Sequence, residues 1–240
     1  MSVRQAPDGH ALGGMSYFVE TAEDVALLPA PAQALLAKST LALFEDPPTG
    51  LEARARKARF APLRDWLRSL AAMRCELEVH LPEGPRARAM LRFHPVLEGV
   101  RALEPALEWV RAASIPKRGP ASLREVYALA GAINLYYAGS NYLVHPAESF
   151  TARALVETHY RTAGEFSFYG APSDYAGLDL RSARPLWMAD GDVLFWTPAG
   201  RTFWLGREHA VADPGTDWGS VDDALERLFR SLIANRPFLA

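Results

Sequence analysis

Between Met73 and Phe93 the chain alternates. Met73, Cys75, Leu77, Val79 and Leu81 interleave with Arg74, Glu76, Glu78 and His80. After Pro82-Glu83-Gly84-Pro85, Ala87, Ala89, Leu91 and Phe93 interleave with Arg86, Arg88, Met90 and Arg92. A period of two gives a strand one apolar and one charged face, so the pattern predicts a β-hairpin over about 73–94. Its charged face is expected to meet water, with arginines of one strand opposite glutamates of the other.

The period is helical on either side. Thr21 is placed to cap a turn beginning AEDVALL, with Glu23 and Asp24 in the first turn. Leu35, Leu36, Leu41 and Phe44 follow Pro31 near helical spacing, and Asp46-Pro47-Pro48-Thr49-Gly50 is a break. Pro62 divides LEARARKARFAPLRDWLRSLAAM into two short helices. PVLEGVRALEPALEWVRAAS reads as helical beyond the hairpin. Residues 1–20 hold Gly9, Gly13 and Gly14, show little periodicity and read as a loose arm. The linker-like Ser114–Pro120 segment suggests a division into a helical region with a hairpin, 21–115, and a second domain, 116–240.

In the second domain Ser122 and Glu125 form a capping-box pattern before LREVYALA, which stops at Gly131. AINLYY and Tyr142-Leu143-Val144 read as strands, Thr151 to Arg161 as a helix, and GEFSFYG, ARPLWMA, DVLFWT and RTFWLG as further short strands. Ser220 opens a closing amphipathic helix through Val221, Ala224, Leu225, Leu228, Leu232 and Ile233. Strands in runs with helices at the ends predict an α+β fold, its mixed or antiparallel sheet flanked by helices.

The stretch MADGDVLFWTPAGRTFWLG (188–206) is apolar on both faces. A two-residue turn at Ala199-Gly200 sets Trp196 opposite Phe203 and Leu194 opposite Leu205 on one face. Phe195 and Trp204 then pair on the other, beside Thr197 and Thr202. The first face suits a core. The second suits either a sheet buried on both sides or an exposed aromatic binding pair.

Composition narrows the classes. The 240 residues are 49% hydrophobic and 22% charged, with a net charge of −2 and a pI near 6.3. Such a balance disfavours bulk binding to nucleic acid or acidic membranes. Cys75 is the single cysteine, so no disulfide forms within the chain and a reducing compartment fits. No apolar run approaches the roughly 18 residues of a membrane span, and a cytoplasmic protein is expected.

Catalytic motifs are missing. The six histidines make no zinc spacing, and no glycine-rich phosphate loop occurs. Ala138-Gly139-Ser140-Asn141 lacks the first glycine of a nucleophile elbow and reads as a turn. Cys75 lies on the apolar face of its strand, as a buried hydrophobe would. Asp190-Gly191-Asp192 is a turn signal that also presents two carboxylates; Glu208-His209 follows the second aromatic strand as a solvated loop or a pocket rim. No cofactor is implied. Arg54, Arg56, Lys57, Arg59, Arg64 and Arg68 crowd fifteen residues, either as a solvated helix face or as a dock for an acidic partner. Residues 1–120 carry 16 basic and 14 acidic side chains, residues 121–240 carry 10 and 14.

From Ser122 to Leu232 the order of features resembles the SUKH superfamily. The resemblance rests on SLREVYALAGAINLYY, ARPLWMADGDVLFWTPAGRTFWLGREH and WGSVDDALERLFRSLI. Gly131-Ala132 stands where that superfamily has Gly-Gly, and the first hundred residues have no counterpart in it. The resemblance implies an α+β fold with a central bent sheet and a binding role, as in bacterial immunity proteins that neutralise a partner toxin. It implies no shared catalytic residues. The expected function is therefore a non-enzymatic protein-binding module. Phe195, Trp204, Asp190, Asp192 and Glu208 are its candidate contacts. The alternatives are a hydrolase with a dispersed site among Asp190, Asp192, Glu208 and His209, and a regulatory subunit docked through Arg54–Arg68.

Overall fold

The computed structural model describes residues 3–7, 14–82, 87–94, 104–110, 119–137, 140–144, 150–189, 192–206 and 216–234. Strands β1 (Arg4–Pro7), β2 (Gly14–Val19), β3 (Arg74–Pro82), β4 (Arg88–His94), β5 (Glu104–Val110), β6 (Ala132–Tyr137), β7 (Ser140–Val144), β8 (Arg184–Ala189), β9 (Asp192–Trp196), β10 (Arg201–Leu205) and β11 (Thr216–Ser220) lie side by side in chain order. Every neighbouring pair is antiparallel. The helices are α1 (Ala30–Gln33), α2 (Lys38–Glu45), α3 (Pro47–Lys57), α4 (Ala61–Leu70), α5 (Ala121–Leu129), α6 (Ala152–Ala163) and α7 (Val221–Ile233). This is the α+β class that the periodicities predict. Among the described residues no helix is long and apolar enough to cross a membrane.

The alternating stretch forms the β3–β4 hairpin, with Leu77 opposite Leu91 and Glu76 opposite Arg92. Its outer edges then recruit segments that local pattern leaves undecided. Residues 14–19, expected within a loose arm, form β2 and pair with β3 from Gly14↔Pro82 to Val19↔Leu77. Val19 enters the core. On the other edge Glu104–Val110, expected to be helical, pairs with β4 as β5. Ala106 and Leu107 are both fully buried although neighbours in a strand point to opposite faces. A strand covered on both sides fits PALEWV as well as a helix does, and the open ladder of β4 decides it.

The expected boundary at 114–120 falls largely outside the described residues. It does not interrupt the sheet, because β5 pairs with β6 through Leu107↔Ile133. Nor does it divide the core. Leu63, Trp66 and Leu67 of α4 share one apolar cluster with Leu123 and Val126 of α5 and Leu225, Leu228 and Phe229 of α7. The Trp66 and Phe229 rings lie 5.0 Å apart. This cluster covers the sheet face that carries Leu77, Leu91, Leu107, Ile133 and Leu194.

A second cluster covers the other face at its C-terminal end. There Val193, Phe195, Phe203 and Leu205 pack under Ala152 and Val156 of α6 and under Tyr169 and Tyr175. Several helix starts follow local chemistry. Asp46 accepts from the Thr49 N–H, Thr151 from the Ala154 N–H, and Ser220 and Asp223 close a reciprocal capping box. The Ser122–Glu125 box does not form. Pro120 takes the cap position of α5, and Ser122 donates instead to Asp222.

Candidate binding surface

The aromatic hairpin is built on a three-residue loop. Thr197 N–H donates to the Arg201 carbonyl at 2.9 Å, and Pro198, Ala199 and Gly200 close the turn, Gly200 at φ +81°. An odd loop shifts the register by one position. Phe203 faces Phe195, and Trp204 faces Leu194. Phe195 and Trp204 therefore lie on opposite faces, and the expected aromatic pair does not exist.

Each of the two residues is covered by the chain itself. Phe195 is fully buried, stacked on Phe203 at 5.7 Å and met edge-on by Phe150 at 6.0 Å. Trp204 is half-buried between Trp187 at 5.2 Å and Trp218 at 5.7 Å. A register shift in β11 leaves Trp218 as the extra residue between Asp217 and Gly219, and this bulge turns its ring toward Trp204. The Arg227 guanidinium caps the row 5.3 Å from the Trp218 ring.

Of the carboxylates predicted beside this hairpin, the structure describes Asp192. Asp192 is half-buried at the start of β9, opposite Ala189. Asp190, Glu208 and His209 lie outside the described residues. Among the described residues no group of three or more His, Cys, Asp or Glu side chains is placed to hold a metal ion.

The charged face of β3 and β4, expected to be wet, is buried. Glu76, Glu78 and His80 are each less than a tenth exposed. Glu76 meets Arg4 at 3.3 Å and His94 at 3.5 Å, Glu78 meets Arg92 at 3.3 Å, and Ser16 Oγ lies 3.2 Å from His80 Nδ1. Hydrogen bonding to His94, helped by the charge of Arg4, holds the Glu76 carboxyl below its ordinary value in spite of burial. Burial outweighs Arg92 and Arg88 at Glu78 and pushes its carboxyl up. The layer pairs opposite charges across β1–β4 and ties those strands in one register. Cys75 shares the opposite face, and burial pushes its thiol up to about 12, so it is a poor nucleophile.

The apolar surface that does face outward lies elsewhere, in a segment that reads as a strand. GEFSFYG forms a 3-10 turn at Gly164–Phe166 followed by a second turn over Ser167–Gly170. Gly164 (φ +58°) ends α6, and Gly170 (φ +72°) donates back to the Ser167 carbonyl at 3.1 Å. Ser167 and Tyr169 point inward and are buried. Tyr169 is held by the edge of His159 at 4.8 Å, and its carbonyl accepts from the Tyr175 hydroxyl. Phe166 and Phe168 point outward, 82% and 49% exposed, and Tyr160 on the last turn of α6 is 39% exposed. Three of the five exposed large hydrophobic side chains among the described residues thus fall within nine positions. Aromatic groups left in water on a backbone pinned from beneath are suited to bury against another protein. Neither a family model, a curated protein nor a solved structure matches this chain.

Proposed function

We propose that the chain is a non-enzymatic protein-binding module that acts as an immunity protein, neutralising a toxin partner. The observation that carries this reading is the exposed position of Phe166, Phe168 and Tyr160 on a pinned turn. Burying such rings at the centre of an interface contributes binding energy out of proportion to their number, and Phe and Tyr cost little conformational entropy to fix. The SUKH-like order of helix, strand, Asp-Gly turn, hairpin and closing helix between Ser122 and Leu232 supports the same class.

The test is co-expression with each polypeptide encoded beside this chain's own reading frame, after screening each of them for toxicity when expressed alone. The wild-type chain is expected to restore growth and to form a stoichiometric complex. The Phe166→Ser/Phe168→Ser variant is expected to fold and to lose both. Full protection by a folded variant would overturn the role of this surface. Failure of the wild-type chain to bind or protect would overturn the immunity reading.

A further inference from the structure

A second surface lies on the other side of the sheet, where α3 and α4 meet. Of its six cations, three are matched. Glu52 takes Arg56 at 3.1 Å and Arg68 at 3.3 Å, and Arg64 lies 3.9 Å from Asp65. Arg54, Lys57 and Arg59 form no ion pair with any described residue. Arg54 donates to the Ser39 carbonyl at 3.3 Å, and Glu125, the carboxylate beside Arg59, is spent on backbone N–H groups. Burial pushes the Arg54 guanidinium below its ordinary value, a cost with no carboxylate to offset it. The end of a helix favours cations, which accounts for basic residues at this place. It does not account for three of them without counter-charges among the described residues, in a chain whose net charge is −2.

We propose that Arg54, Lys57 and Arg59 form a docking surface for an acidic protein segment, one whose carboxylates supply the missing counter-charges. Arg54 and Lys57 lie one turn apart at the end of α3, and Arg59 follows in the short link to α4, so the three cations fall within six residues of chain. Nucleic acid fits less well, because the aromatic residues of this stretch are used inside. Phe60 and Trp66 pack on Phe229 at 6.3 and 5.0 Å, which leaves neither as a stacking platform for bases. The surface belongs to the core cluster opposite the one beneath Phe166 and Phe168. The proposal therefore does not rest on the immunity reading.

Lys57 and Arg59 are exposed, so both are replaceable without opening the core. The probe is a fluorescein-labelled poly-glutamate peptide, titrated with the full chain at low salt and followed by anisotropy, with oligothymidylate as competitor. Wild-type binding is expected to weaken as salt is added. The Lys57→Gln/Arg59→Gln variant is expected to bind the peptide about tenfold more weakly or worse, with an unchanged or raised Tm. Equal affinity of the variant overturns the proposal. So does a lowered Tm, which would assign these cations to the fold, and so does tighter binding of oligothymidylate through the same two residues.

Discussion

Glu125 caps a helix other than its own. Its Oε2 accepts the Phe60 N–H at 3.1 Å and the Arg59 N–H at 3.0 Å, at the start of α4. The carboxylate satisfies the N–H of the cap residue Phe60 and of Arg59 just before it, and lies at the positive end of the α4 dipole. Glu125→Ala is expected to cost about 1 kcal/mol in chemical denaturation, the usual effect of losing a cap. Glu125→Gln, which keeps an acceptor without the charge, should lose less. Two variants indistinguishable from wild type would show that the contact contributes nothing.

That contact also shows where local reading stops. Ser122 and Glu125 have the spacing of a capping box, and the spacing says nothing of Arg59 or Asp222 arriving from elsewhere. Elements whose period is unambiguous were legible: the β3–β4 alternation forms, and so does α7, its buried stripe taking in Phe229 and leaving Ile233 exposed. β5 was not, since Ala106 and Leu107 suit a helix until β4 offers its edge. The exposed aromatic surface was obscured for a related reason. A strand reading of GEFSFYG buries one face, and Phe166 and Phe168 would be its natural core side. Gly164, Gly170 and the inward Tyr169 instead turn those rings out.

The two sets of phenylalanines should separate cleanly in stability. Phe195 is fully buried between Phe203 and Phe150. Phe195→Ala is expected to destabilise by about 3–5 kcal/mol. Phe166→Ser should change stability by no more than about 0.5 kcal/mol, because its ring is already in water. Urea denaturation of each single variant measures both. A large loss from Phe166→Ser would mean that its ring packs within the fold and is not available to a partner.

Turn length determined the faces of the aromatic hairpin, and Gly200 makes that length possible. At φ +81° it occupies a conformation that a side chain resists. There is room: a Cβ at Gly200 would meet Pro120 Cγ at 3.7 Å, an ordinary contact. The cost of Gly200→Ala is then conformational, about 1–2 kcal/mol, and visible as a lowered Tm. A neutral result would mean that the loop relaxes to another form, and the fluorescence of the Trp187–Trp204–Trp218 row would report any accompanying slip in register.

The buried charges of β3 should give the stability profile two opposed slopes. Glu76 is held below its usual value of 4.5 by His94 and Arg4. Its ionised form is therefore favoured in the fold, and it contributes stability above the unfolded value that is lost as pH falls through the lower folded one. Glu78 has the opposite sign. Burial raises it, so its contribution is complete below the unfolded value and is lost as pH rises through the folded one. Measured against wild type, Glu76→Gln should lose stability as pH climbs toward 4.5 from below, and Glu78→Gln should gain in relative terms as pH climbs above 4.5. Absolute losses differ from these slopes, because Glu78→Gln also removes the partner that Arg92 meets at 3.3 Å. Denaturation midpoints from acid to neutral pH test the sign. Parallel profiles for the two variants would show that the carboxylates ionise alike and that the layer pairs charges differently from the geometry described.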